Sequence, residues 1–440
     1  MMRALGVGSW PSAVRRLAAW HLGKEVAMEL LKSLKEDTSK VSVLEGDKLY
    51  SLQMADGENL IAKTTFDSMK LKADLVKGLH LLGFERPSII QNLAIPHIIK
   101  GKNVAFQSKS GTGKTIAFTI GALELAEAGK EQQVLILSPT RELSSQVGKV
   151  VEKIAKFLEM KVCYALGDFS EASITAEIMV GCPGKIINLI NSKVINPSLI
   201  KMVIFDEADE LISNQAFSAQ TLKLLRSFEK AQKVFFSATY SDLSQKALAK
   251  LAPDAEKFLE KNEKADKIQL YYLEVPKNKK LVALKSIFEY LTVAQTVIFV
   301  ATKNSVDFVA NELATDGFSV SKIHGNLTPE ERDSAFNDFI QAKTKILVAT
   351  NVFSRGMDIP QVNLIINYDI PNFSSTEDQQ TYIHRIGRSG RFNRSGFVID
   401  FISGDDDLNV LAGIQSGMNA ISKKFTLEGL QQAFFDSSDF

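Results

Sequence analysis

Asn103-Val104-Ala105-Phe106-Gln107-Ser108-Lys109-Ser110-Gly111-Thr112-Gly113-Lys114-Thr115 is the stretch whose reading decides the fold. An apolar run of strand character passes into a loop in which Gly111 and Gly113 let successive amides turn toward anionic oxygens. The N-terminus of the helix that follows adds the positive end of its dipole. From Ser108 to Thr115 the loop follows the phosphate-loop pattern, with Ser108 where that pattern has Gly. Ser108, Lys109, Ser110, Gly111, Thr112 and Gly113 form the cradle, Lys114 reaches the β/γ-phosphates of a nucleotide, and Thr115 ligates Mg²⁺.

A second apolar run, Met202-Val203-Ile204-Phe205, ends on Asp206-Glu207-Ala208-Asp209. Alone, paired acids at a strand end read as solvated surface. Downstream of a phosphate loop they complete a nucleotide-hydrolysis site. Asp206 is assigned to Mg²⁺, directly or through water, and Glu207 to orienting and deprotonating the attacking water.

Around these strings, short β-branched strands alternate with helical segments, which makes an α/β fold with parallel sheets. The alternation occurs twice. Asn103–Phe106, Val134–Ser138, Met202–Phe205 and Lys233–Phe236 belong to the first series; Thr296–Val300, Lys345–Val348, Leu364–Asn367 and Phe397–Phe401 belong to the second. A charged stretch between them predicts a linker at 256–267, with one lobe at 63–255, a second at 268–440, and a partly helical extension at 1–62. Two such lobes would form a cleft, with ligands at the carboxyl ends of the strands.

The chain has 440 residues, 45% hydrophobic and 23% charged, with a net charge of +1. No bulk basicity draws it onto nucleic acid, so any such binding must rest on local patches and backbone donors. Cys163 and Cys182 make neither a disulfide framework nor a zinc site, and no apolar run predicts membrane insertion.

Further motifs recur in a recognisable order. They are Phe66 with Gly83-Phe84-Glu85-Arg86-Pro87-Ser88 leading to Gln91, Pro139-Thr140-Arg141-Glu142-Leu143, Gly181-Cys182-Pro183-Gly184-Lys185 and Ser237-Ala238-Thr239. After the charged stretch come Ala349-Thr350-Asn351-Val352-Phe353-Ser354-Arg355-Gly356-Met357-Asp358 and His384-Arg385-Ile386-Gly387-Arg388-Ser389-Gly390-Arg391. With these motifs the chain resembles the DEAD-box RNA helicases of superfamily 2, over about residues 66–435.

That resemblance implies two tandem RecA-like lobes and an ATP- and Mg²⁺-dependent, RNA-stimulated ATPase. Gln91 would read adenine's edge and Phe66 would stack on the ring. Asp358 would contact the ribose, while Arg388 and Arg391 stabilise the transferring phosphoryl group, a role worth about 10³–10⁵ in rate. Ser237 and Thr239 would reach Asp209, and His384 would link that motif to the second lobe. Pro139, Thr140, Arg141, Gly167, Pro183, Gly184, Thr350, Arg355 and Gly356 would line an RNA track. Amides, hydroxyls and arginines there grip phosphates and 2′-hydroxyls, so recognition is sequence-blind. The chain departs from the family at Cys182 and Lys185 (usually Thr and Arg), at Gly167-Asp168 (a glycine pair), at Pro329 (often Gln) and at Ser389 (usually Thr).

The long stretch from Asn372 to Thr381, with Ile268-Gln269-Leu270-Tyr271-Tyr272, Thr292-Val293-Ala294-Gln295 and Thr350-Asn351-Val352, resembles the subgroup that remodels messenger ribonucleoprotein at the nuclear pore. This implies messenger-RNA export, a monomer in the cytoplasm and at the nuclear envelope, a nucleoporin partner and an inositol-phosphate-dependent activator. A helicase of translation initiation or ribosome assembly is the alternative within the fold. A non-catalytic RNA clamp, in which ATP binding closes the lobes and hydrolysis is vestigial, is the alternative of a different class, and intact Lys114, Glu207, Arg388 and Arg391 argue against it. The N-terminus has Arg3, Arg15 and Arg16 but no acid before Lys24, a pattern similar to a mitochondrial transit peptide. Residues 22–35 predict an amphipathic helix with Val26, Leu30 and Leu34 on one face, a candidate for the inhibitory helix that the subgroup lodges between its lobes.

Overall fold

Strands buried on both faces read as continuous apolar runs, and here they form two parallel sheets. The computed structural model describes residues 24–34, 62–108, 111–167, 175–213, 215–240, 242–259, 268–291, 295–351, 362–371, 381–383, 385–386, 396–418 and 420–437. In the first lobe the strands are β1 (Val104–Gln107), β2 (Val134–Leu137), β3 (Val162–Ala165), β4 (Ile178–Gly181), β5 (Met202–Asp206), β6 (Gln232–Ser237) and β7 (Glu256–Phe258). They form a seven-stranded sheet in the order β3-β4-β2-β5-β6-β1-β7, parallel throughout.

Alternation along each strand divides the core in two. Val104, Phe106, Ile136, Ile204, Val234 and Phe236 belong to one apolar cluster, and Ala105, Leu135, Leu137, Val203, Phe205 and Phe235 to another. Phe106 stacks on Phe236 and on Phe258, with ring centroids 5.1 and 4.8 Å apart. The Phe258 contact corrects the linker expected from residue 256. Glu256–Phe258 pairs in parallel with Val104–Phe106, and Lys102 Nζ holds Glu256 at 2.7 Å. A charged composition misleads here because β7 is an edge strand, where charged side chains protect an open ladder.

The second lobe carries β8 (Ile268–Glu274), β9 (Gln295–Phe299), β10 (Val320–Ile323), β11 (Ile346–Ala349), β12 (Val362–Asn367), β13 (Gly396–Ile402) and β14 (Lys423–Phe425). Their order, β10-β11-β9-β12-β13-β8-β14, matches the first sheet strand for strand. Among the described residues no helix is long and apolar enough to cross a membrane.

Residues 24–34 form a helix. Its buried stripe is Ala27, Leu30, Leu31 and Leu34, each at most 3% exposed. These residues join the second lobe's cluster with Tyr271, Leu273, Leu284 and Phe425, while Val26 packs against it half-buried. Glu29 adds an ion pair to Lys423 at 2.6 Å, a surface contact of small energy. The apolar face of the helix expected at 22–35 thus lies in the second lobe's own core. Leu30→Ala should destabilise that lobe by about 2–5 kcal/mol, read as an earlier melting transition for the second lobe with the first unchanged.

Candidate active site

In the order β2-β5-β6-β1, the phosphate loop follows β1, the acidic string follows β5, and Ser237 closes β6, so three adjacent strand ends carry the hydrolytic residues. The β1–β6 ladder continues into the loop, with Ser108 N donating to Ser237 O at 3.1 Å. Gly111 and Gly113 take φ of 78° and 94°, a region open to glycine at little expense. Ser108 Oγ lies 2.8 Å from Thr112 Oγ1, and Lys114 Nζ donates to Ser108 O at 2.6 Å. Thr115 stands in the first turn of the helix Lys114–Leu125.

Gln91 begins the neighbouring helix in a capping box with Ser88. Its Oε1 accepts from Ser88 N at 2.9 Å, and its Nε2 donates to Gly113 O at 3.1 Å. One N–H and one lone pair of the amide remain. Gln91 thus braces the phosphate loop. Phe66 departs from the stacking expected of it. Phe66 N donates to Glu85 O at 3.3 Å, and the ring, fully buried, belongs to the core cluster with Leu75, Leu79 and Phe84. It has no face open to a base.

Asp206, Glu207 and Asp209 are 4%, 5% and 1% exposed. Asp209 Oδ1 accepts from Ser237 Oγ at 2.6 Å and its Oδ2 from Thr239 Oγ1, the pairing the motif order implied. Asp206 Oδ1 accepts from Glu207 N at 3.1 Å. Glu207 sits at φ 49°, left-handed backbone that a non-glycine residue holds only when its surroundings insist. Burial foremost, then the charge of Glu207, pushes the Asp206 carboxyl up to about 7, against the pull of Lys114. The donors are hard oxygens, which suits Mg²⁺, a cation that takes one or two carboxylates and completes its shell with water and phosphate.

The RNA candidates of the first lobe gather at the ends of β2, β3 and β4, which are also adjacent. Thr140 caps the helix Arg141–Ile154 by accepting from Leu143 N. The Arg141 guanidinium lies over Gly167, so close that a Cβ there would meet it at 2.8 Å. Lys185 Nζ donates to Gly167 O at 3.0 Å, and Pro183 opens the helix Pro183–Asn191 with Gly184 beside it. Lys185, read from the sequence only as a departure, therefore belongs to this group. Pro139 directly precedes Thr140 after β2.

In the second lobe Thr350 N donates to Ile323 O at 3.3 Å. Lys109, Ser110, Arg355, Gly356, Asp358, His384, Arg388 and Arg391 lie outside the described residues. The sequence reading passed over Arg385, which is 1% exposed. Its Nε donates to Asn351 Oδ1 at 2.9 Å, and its Nη1 donates to Asn367 Oδ1 at 2.9 Å and Asp369 O at 2.8 Å. Its charge is balanced at one remove by Asp400, which accepts from Tyr382 Oη and Asn367 Nδ2, both at 2.7 Å. Asn367 and Asp400, polar residues in buried strands, were the signal that could have found it.

Two outcomes follow for the nucleotide side. A Cβ on Gly113 would lie 2.3 Å from Gln91 Nε2, so Gly113→Ala should weaken ATP binding about tenfold through strain of roughly 1–3 kcal/mol, measured by equilibrium titration. Asp206 holds its proton more tightly folded than unfolded between its ordinary 3.8 and about 7, so its contribution to stability falls as pH rises through that window. A cation held by Asp206 would relieve this. Mg²⁺ added with ADP should raise the melting temperature more at a pH above the window than within it.

Residues 88–247 match the DEAD/DEAH box helicase family, and residues 278–393 match the helicase conserved C-terminal domain. ATP-dependent RNA helicase FAL1 of Kluyveromyces lactis is 39% identical over 81% of this chain and 91% of its own length. ATP-dependent RNA helicase DDX19B of Homo sapiens is 35% identical over 92% of this chain and 86% of its own. Among solved structures, S. cerevisiae Dbp5 bound to RNA and ADP BeF3 superposes with a TM-score of 0.80 at 33% identity, covering 85% of this chain and 99% of that one. A point variant of S. cerevisiae Dbp5, bound to Nup159, a Gle1 variant, IP6 and ADP, gives 0.60 at 31%, covering 84% and 99%. With a phosphate loop, an acidic strand end and a hydroxyl latch on adjacent strands, and likeness running through both lobes, this chain belongs to the DEAD-box family of ATP-dependent RNA helicases.

Proposed function

We propose that this helicase uses ATP to clamp RNA and remodel messenger ribonucleoprotein during export from the nucleus, working in the cytoplasm and at the nuclear envelope. The observation that carries the ATPase part is the latch of Asp209 to Ser237 Oγ and Thr239 Oγ1, which ties the acidic string to the strand beside the phosphate loop. The export part is supported by the resemblance at Asn372–Thr381, by the 92% of this chain that aligns with DDX19B, and by the capture of Dbp5 with Nup159, Gle1 and IP6. A nucleoporin and an activator that depends on an inositol phosphate are the corresponding partners.

In this reading Lys114 binds the β/γ-phosphates and Glu207 takes the proton of the attacking water. Arg388 and Arg391 stabilise the transferring phosphoryl group, Asp358 holds the ribose, and His384 links Ser237 and Thr239 to the second lobe. Thr115 and Asp206 would hold Mg²⁺, which when bound neutralises charge on the phosphates. Thr140, Arg141, Gly167, Pro183, Gly184, Thr350, Arg355 and Gly356 grip the RNA backbone. The likeness to FAL1, at higher identity over a shorter stretch, favours a second reading in which the same ATPase serves translation initiation or ribosome assembly.

One experiment separates these. Glu207→Gln should bind RNA and ATP, hydrolyse at least about a hundredfold more slowly, and retain RNA. If it released RNA and phosphate as fast as wild type, Glu207 would not be the base. Recovered from cell extract in its trapped state, it should return pore components; ribosomal factors instead would favour the second reading.

A further inference from the structure

Among the described residues several buried polar atoms have no hydrogen-bond partner, and one of them, the Tyr240 hydroxyl, adjoins the latch. Tyr240 follows the latch residue Thr239 directly, is 5% exposed, and shares an apolar cluster with Ala208, Leu211 and Leu248. Its backbone is pinned on both sides: Gln245 Nε2 donates to Tyr240 O at 2.9 Å, and Thr239 N donates to Ser237 Oγ at 3.2 Å. The hydroxyl nevertheless has no hydrogen-bond partner among the described residues. A Phe would fill the same volume without burying an unsatisfied donor, and native proteins rarely tolerate such a group without a reason.

A second orphan of the same kind is Glu207 Oε2, also buried and also unbonded among the described residues. The carboxylates whose charge acts on the Tyr240 phenol are those of Asp209 and Glu207. Asp209 already accepts on both oxygens, from Ser237 and from Thr239. Of these two acids, Glu207 is the one left with an oxygen to satisfy. Burial first, then these two charges, hold the phenol well above its ordinary range, so it remains a proton donor wherever the enzyme works.

We infer that Tyr240 is a positioning residue for hydrolysis, whose hydroxyl donates to Glu207 Oε2 in the nucleotide-loaded enzyme and leaves the other carboxylate oxygen aimed at the attacking water. The inference rests on the reading of Glu207 as the base. It explains how a carboxylate held in left-handed backbone, φ 49°, comes to a single orientation when the site is loaded. The donor is held by packing against Ala208, the residue after Glu207, in one apolar cluster, and by its place directly after the latch residue Thr239.

The test is a double-mutant cycle on the full chain with saturating RNA. Tyr240→Phe should lower kcat about tenfold while KM for ATP and affinity for RNA stay within twofold, the signature of an interaction made after the ground state. The melting temperature should hold or rise, because an unsatisfied buried hydroxyl is removed. In the Glu207→Gln background, single-turnover hydrolysis should be insensitive to the same change. Three results would overturn the inference: an unchanged kcat, a drop in melting temperature showing that the hydroxyl supports the fold, or coupling to Asp209→Asn in place of Glu207→Gln. Undiminished hydrolysis by Glu207→Gln alone would instead remove the assignment of the base, a separate failure.

Discussion

Negative charge confined where water cannot reach it is the constraint on which this molecule's chemistry depends. Asp206, Glu207 and Asp209 are buried together at the end of β5, with Lys114 the cation whose field acts on Asp206. Ionised carboxylates in such a place are unfavourable unless each finds donors or a counter-charge. The chain meets the demand unevenly. Asp209 receives two hydroxyls, Asp206 one backbone N–H and the field of Lys114, and Glu207 a strained turn. What is left over is a site short of positive charge. A nucleotide arriving with a divalent cation answers that shortage, which is why binding and catalysis draw on the same few atoms.

The second lobe repeats the strand order of the first but inverts this electrostatic problem. There the buried ion is a guanidinium, Arg385, gripped by two asparagine side chains and a carbonyl rather than by a direct carboxylate. Phe299 lies beneath it, 4.9 Å from ring centroid to guanidinium carbon. Replacing such a group by an apolar side chain is often neutral or favourable for stability. Its retention between Asn351 and the strand ends points to geometry as its purpose, because it lies in the same string as Arg388 and Arg391.

Much of this was legible in the sequence because the deciding signals are local. The strand at Val104–Gln107, the glycines after it and the helix at Lys114 follow from patterning and φ alone, and β5 ends on Asp206 as its apolar run implies. The hydroxyl latch was likewise foreseeable from motif order. What escaped depends on neighbours distant in sequence. β7 looks like a linker until Val104–Phe106 is beside it. Phe66 looks like a free aromatic until it is fully buried in the core cluster that holds Leu75, Leu79 and Phe84. Arg385 and Tyr240 carry no pattern of their own, and their meaning comes only from Asn351 and Asn367 in one case and from Asp209 and Glu207 in the other.

The helix at 24–34 shows how far the chain's order departs from its architecture. Its stripe of Ala27, Leu30, Leu31 and Leu34 belongs to a core whose other members begin at Tyr271. During synthesis this helix emerges ahead of the whole first lobe, before its partner surface exists. Amphipathic and too short to be stable alone, it must wait for the strands and helices it packs against to be made. Docking is then a long-range closure, slow and late by topology. The nascent chain therefore carries an unsheltered apolar segment until the second lobe is made, and residues synthesised before the first lobe are among the last to be placed.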